Sequence, residues 1–253
     1  QAYEFEFEKK RENIAAAAEE AGLEYPIAID NNRGTWEAYS NRYWPAKYLI
    51  DKDGYIRYTH FGEGQYEETE LLIRKLLAEA GAQVSDIPLG EVVLPEYEPL
   101  ALSRDPMNSI TRELYAGVAR NYGALRSGST PPYVIHEEFY LDPGAEIEYE
   151  DPGDHNNHFI YLQGLWRNDI ENLTHARETE NFEDYMAIKF YATTVNLVMG
   201  GEDIAPYEVR VTMDDQALEP AEAGTDIRFD ADGNSFVVVD ESKMYRLVSI
   251  PMF

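Results

Sequence analysis

The residues of this chain that could do chemistry fall into a few groups, and one chemistry is missing outright. Its 253 residues include no cysteine, so the chain supplies no thiol nucleophile, no thiolate metal ligand and no disulfide. The stretch "DHNNH" sets His155 and His158 three positions apart, beside Asp151 and Asp154. These are metal-ligand types, but a metal site needs a third or fourth ligand at defined geometry. Flanked by Asp151-Pro152-Gly153, the group reads as a polar turn. "DKDGYIRYTHFGE" and "DADGN" carry the acidic spacing of calcium loops, yet neither has the glutamate that closes an EF-hand. Asp-Gly hairpin turns account for both. A sugar site needs exposed flat aromatics with polar groups around them, and Tyr161, Trp166, Tyr185 and Tyr191 are the candidates. Strand alternation turns about half of such rings inward, and Trp166, in the apolar run "LQGLWRND", reads as a core residue. No G-x-G-x-x-G is present, "FGEGQY" is too short for a nucleotide loop, and no Ser-His-Asp set is defined by spacing.

These residues need elements to position them. Residues 9–21, "KKRENIAAAAEEA", have helix-forming composition, with Gly22 as the stop. "YPIAID" fits a short buried strand, and "NNRGTWEAYSNR" a turn and a short helix. Trp36 and Tyr39 are expected to pack on that helix's inner face. "KYLIDKDGYIRYTHF" predicts two strands around an Asp-Gly turn. "QYEETELLIRKLLAEAG" predicts a helix with Leu71, Leu72, Leu76 and Leu77 as its apolar face, acidic residues in its first turn and Gly81 at its end. Strands alternating with helices predict an α/β layer over residues 1–82. Residues 83–110 carry several prolines and little periodicity, and read as a linker or strap.

Residues 111–253 read as mostly β. Strands are expected in "YVIHEEFYL", "HFIYLQGLWRND", "YMAIKFYATTVNLVMG", "YEVRVTMDD", "TDIRFDADG", "SFVVVDES" and "MYRLVSI". Ala187, Lys189 and Tyr191 alternate in period two, as do Val209, Val211 and Met213. Gly and Pro turns between many short strands predict a β-sandwich of jelly-roll type.

Composition excludes some partners. With 48 acidic and 21 basic residues the formal net charge is −27, a field that repels nucleic-acid phosphates and anionic membrane surfaces. No apolar run approaches the roughly 18 residues that span a bilayer. A hydrophobic share of 44% is ample for a core, and 19 tyrosines with 10 phenylalanines favour β structure.

The stretch "NRYWPAKYLIDKDGYIRYTHFGEG", with the leucine helix after it, resembles the second half of a thioredoxin fold. The run from "YPIAIDNN" to "LLIRKLL" is similar to the thioredoxin-like region of the DipZ family, related to the TlpA and redoxin proteins. "ITRELYAG", "QGLWRNDIE", "IKFYATTVNLVM" and "YRLV" resemble that family's C-terminal module, a jelly roll like carbohydrate-binding modules. The resemblance implies extracytoplasmic thiol–disulfide exchange. It makes Pro45 the cis-proline that faces the redox centre, and Trp44 and Pro45 substrate-contacting residues rather than catalytic ones. The alternative is that Trp44 packs in the core and Pro45 starts an edge strand.

Family members carry a Cys-x-x-Cys unit ahead of this region. The chain is therefore read as a fragment without its redox unit, inactive alone, with natural loss of that unit as the alternative. A disulfide-bearing protein is the implied substrate. The rival is a glycan- or protein-binding scaffold. Without its first strands the sheet edge would lie bare, and a partner chain could complete it. No cofactor is expected, although jelly-roll modules of this kind leave one structural calcium open.

Overall fold

The computed structural model describes residues 2–3, 6–84, 86–88, 110–121, 132–201 and 205–250. The chain divides into two compact units, residues 1–98 and 99–253. Most of the expected linker at 83–110 lies outside the described residues.

In the first unit the alanine-rich stretch forms α1 (Arg11–Glu20) after a short 3-10 turn at Glu6–Lys9. The helix closes as its sequence predicts. Gly22 sits at φ 62, and Leu23 N–H donates back to Ala18 O. The expected strand at "YPIAID" is not formed: residues 25–30 make no ladder, and Tyr25, Ile27 and Ile29 are exposed. An apolar run becomes a strand only by pairing, and no described strand lies beside it. Ile27 and Ile29 instead line a shallow hollow of about 160 Å³ with Ile14, Ala15 and Ala18 of α1.

Next comes α2 (Gly34–Ala38), then an antiparallel hairpin of β1 (Ala46–Ile50) and β2 (Ile56–Phe61). Its loop is longer than a tight Asp-Gly turn. Asp51 closes it, its carboxylate accepting from Asp53 N–H, Tyr55 N–H and Arg57. Arg57 also bonds Glu79 near the end of α3 (Tyr66–Glu79), so one guanidinium ties hairpin to helix. α3 ends at Gly81, with φ 90 and Ala82 N–H on Leu77 O. Its inward face differs from expectation. Leu72, Ile73 and Leu76 are half-buried, whereas Leu71 is 57% exposed and Leu77 is exposed too. Leu72, Ile73 and Leu76 lie on one 3.6-period stripe, and Leu71 and Leu77 flank it.

The second unit has few helices and many antiparallel strands. β3 (Glu146–Tyr149), β4 (Ile160–Asn168) and β5 (Leu173–His175) pair in that order, and β6 (Tyr185–Ile188) also pairs with β4. Val118, Val134, Phe139, Tyr149, Ile160 and Leu162 form the core beneath them. Further along, β7 (Thr194–Met199) pairs with β13 (Lys243–Ser249), and β12 (Ser235–Val239) pairs with β8 (Tyr207–Arg210) and β11 (Arg228–Phe229). The two-residue strands β9 (Thr212–Met213) and β10 (Gln216–Ala217) form a small ladder. Leu218, Val237, Val239, Tyr245, Leu247 and Val248 make a second core, on which Val209, Val211 and Met213 pack from one face as their alternation predicts.

"YVIHEEFYL" departs from its expected strand. Val134 makes one isolated bridge to Ile160, and Glu137–Tyr140 is a 3-10 turn. Side chains take the backbone groups a ladder would use. Asn121, fully buried, accepts from Tyr133 N–H through Oδ1 and donates through Nδ2 to Tyr115 O and Gly117 O. Tyr140 O–H donates to Val134 O.

Candidate functional site

The Trp44-Pro45 corner is built by the loop before it. The Asp30 carboxylate accepts from Thr35 N–H at 2.9 Å and Trp36 N–H at 2.8 Å, holding the first turn of α2. The Thr35 bond is the larger cause that keeps this carboxyl below its ordinary range. α2 places Trp36 against Trp44, ring centroids 4.3 Å apart. Arg33, in the left-handed region at φ 56, lays its guanidinium by both indoles and by Tyr3, at 5.6, 5.7 and 5.1 Å. Trp44 is nonetheless 42% exposed, so it is not a core residue. The Trp44-Pro45 peptide bond is cis.

Main-chain groups at this corner are free. Trp44 N–H and C=O have no partner among the described residues. Pro45 O accepts from Gly62 N–H, which makes Lys47/His60 and Leu49/Tyr58 the hydrogen-bonded pairs of the hairpin. Ala46 and Tyr48 then turn their N–H and C=O groups to the outer edge of β1. No described strand pairs with that edge. Such an edge, beside an exposed indole, can take up an extended peptide by strand addition. Nothing there can attack a disulfide.

The sugar-site candidates scatter in environment. Tyr161 is 1% exposed, its ring stacked on His155 at 4.1 Å and its hydroxyl accepting from Asn156 N–H. Trp166 packs half-buried on the first core and donates from Nε1 to Gln163 O. Tyr185 and Tyr191 are 42% and 43% exposed. Tyr185 O–H donates to Asp151 Oδ2. His155 Nε2 meets Asp151 Oδ1 at 2.7 Å, while His158 Nδ1 pairs with Thr111 Oγ1 instead. Burial alone would raise the Asp151 carboxyl, but bonds from Gly153 N–H, His155 and Tyr185 outweigh it and hold it low. Among the described residues no group of three or more potential ligands is arranged to hold a metal. Asp230 closes the "DADGN" loop on Asp232 N–H, Asn234 N–H and Asn234 Nδ2.

Sequence reasoning did not find Arg33, nor the cluster at Asp184. That carboxylate accepts from Arg177, His175 Nε2 and Leu165 N–H, and the Arg177 guanidinium is the main cause that holds it at about 2. Both features depend on contacts between separated segments, which no local motif signals.

The profile of the thioredoxin like C-terminal domain family matches residues 111–252. The chain belongs to this family. Among curated proteins, this thioredoxin-like chain is 35% identical over 200 residues to the proteins named DipZ of Mycobacterium bovis and Mycobacterium tuberculosis, covering 78% of the chain. It spans only 25% of their length. It is also 32% identical over 66 residues to the thiol-disulfide oxidoreductase YkuV of Bacillus subtilis, which is 26% of this chain and 45% of that protein. Among the described residues of the chain, no helix is long and apolar enough to cross a membrane.

Proposed function

We propose that this chain is the substrate-docking part of a thiol–disulfide oxidoreductase that works outside the cytoplasm. The observation that carries the proposal is the exposed Trp44, with unpaired main-chain N–H and C=O groups beside the cis Pro45, in a chain whose relatives include a named thiol-disulfide oxidoreductase. In this reading an extended segment of a disulfide-bearing protein pairs with the main chain of Trp44 and contacts Pro45. Attack on its disulfide requires a thiolate with a lowered pKa. This chain has no cysteine, so in this reading the thiolate is supplied from outside these 253 residues. The second unit is then a β-sandwich of jelly-roll type, and the proposal assigns the chain no cofactor.

The test is the intact mass of the natural protein, with its N-terminal peptide mapped onto the longer reading frame. Upstream residues that include Cys-x-x-Cys support the reading. A mature protein starting at Gln1 refutes it.

A second reading rests on the rings of Tyr185 and Tyr191, both well exposed in the second unit. It makes that unit a glycan-recognition module. Retention in affinity electrophoresis on a polysaccharide gel, lost in Tyr185→Ala or Tyr191→Ala, supports it. Unretarded migration refutes it.

A further inference from the structure

The main chain around Trp44 is held on both sides by hydrogen bonds that leave its own groups out. Asn41, half-buried just after α2, is the hub on the upstream side. Its N–H donates to Trp36 O at 3.0 Å. Its Nδ2 donates to Tyr43 O at 3.0 Å, and its Oδ1 accepts from Tyr48 O–H at 3.0 Å. A carbonyl oxygen only accepts, so the amide nitrogen faces Tyr43 O and the amide oxygen is left for the hydroxyl. Tyr48 belongs to β1 and packs edge-on against Tyr39 and Phe61, ring centroids 5.0 and 6.0 Å apart, which limits where that hydroxyl can go. On the downstream side Pro45 O accepts from Gly62 N–H at 2.9 Å.

Tyr43 C=O and Trp44 N–H belong to one peptide unit, and that unit is trans. In a planar trans unit the C=O and N–H point in opposite directions. Holding Tyr43 O on the carboxamide therefore turns Trp44 N–H away from it, and no described group meets that N–H. We propose that Asn41 is a positioning residue of the docking corner: through Tyr43 O it aims Trp44 N–H at a carbonyl of the docked polypeptide. The inference rests on the docking reading above and adds the residue that sets the direction of its donor. Without the Nδ2 bond this peptide unit is free to turn, and the donor has to be ordered as the polypeptide arrives. That cost falls on binding and not on the later attack at sulfur.

The test is reduction of insulin disulfides by the protein of the full reading frame, with KM and kcat read separately. Asn41→Asp keeps an oxygen for Tyr48 O–H but removes the donor to Tyr43 O. Asn41→Ala removes both, adds no charge, and serves where the Asp variant does not fold. Circular dichroism against the parent confirms the fold of each. Both variants are expected to raise KM about fivefold while kcat stays at the parent value. Asp51→Ala loosens the hairpin loop at the other end of β1, and should leave KM as in the parent. A parental KM in a folded Asn41 variant overturns the inference, as does a loss confined to kcat or an equal rise of KM in Asp51→Ala. A parent protein that does not reduce insulin, or that reduces it equally well with Trp44→Ala, overturns the docking reading as well. Turnover that needs Trp44 but not Asn41 overturns the inference alone.

Discussion

Replacing Gly164 with alanine tests a crowded point of the second unit. Gly164 lies in the middle of β4 at φ 92, and a Cβ built there would fall within the Asp184 carboxyl group. That carboxylate also accepts from Leu165 N–H, His175 and Arg177. Two costs follow. A residue other than glycine at such a φ costs about 1–2 kcal/mol. Pushing Asp184 aside loses at least one charge-assisted hydrogen bond, about 1.5–3 kcal/mol. The sum is about 3–5 kcal/mol, which for a unit of this size lowers the melting temperature by about 10 °C. Thermal unfolding at neutral pH measures it. The mechanism is tested by a cycle with Asp184→Ala, which removes the obstruction. On that background Gly164→Ala should cost only the conformational 1–2 kcal/mol. A Gly164→Ala protein as stable as the parent, or an equal cost on both backgrounds, refutes the reasoning.

Other predictions follow from single groups. Asn121→Ala removes a fully buried side chain that bonds Tyr115 O, Gly117 O and Tyr133 N–H, and should cost about 2–4 kcal/mol in denaturant unfolding. His136 is pushed below its ordinary value mainly by burial, opposed by Glu138 and Asp151, while its Nε2 accepts from Leu162 N–H. With the folded pKa depressed, the unfolded state binds the proton more readily. The stability from neutral His136 is full above about pH 6.5 and is lost as pH falls below that value. His136→Gln should flatten the melting-temperature profile between about pH 6.5 and 5, and identical profiles would contradict this. Asp51→Ala frees the hairpin loop and Arg57, and should raise amide exchange at Tyr55 and Arg57 without changing exchange in β12.

What the sequence revealed depended on the range of the forces involved. Gly22 and Gly81 predict both helix ends because a left-handed cap is a property of a few adjacent residues. The 46–61 hairpin was legible for the same reason, although Asp51, bonding two N–H groups of its own loop, makes that loop longer than Asp-Gly alone suggests. "YPIAID" and "YVIHEEFYL" have strand composition but not strand structure. The first lacks a neighbouring strand, and the second loses its backbone groups to Asn121 and Tyr140. In α3 the count of leucines did not reveal which of them faces inward, since Ile73 takes the place expected for Leu77. At the Trp44-Pro45 corner, both residues stand out through family resemblance. Arg33 did not, since its position depends on Tyr3, Trp36 and Trp44 coming together.

The central claim is that the Trp44-Pro45 corner docks disulfide-bearing substrates for a thiolate supplied from upstream. The most direct test is reduction of a protein disulfide by the protein of the full reading frame, beside the same protein carrying Trp44→Ala. The account predicts turnover by the full protein, kcat/KM lowered about tenfold or more by Trp44→Ala, and none by the 253-residue chain alone. No turnover by the full protein, or full turnover with Trp44→Ala, would contradict it.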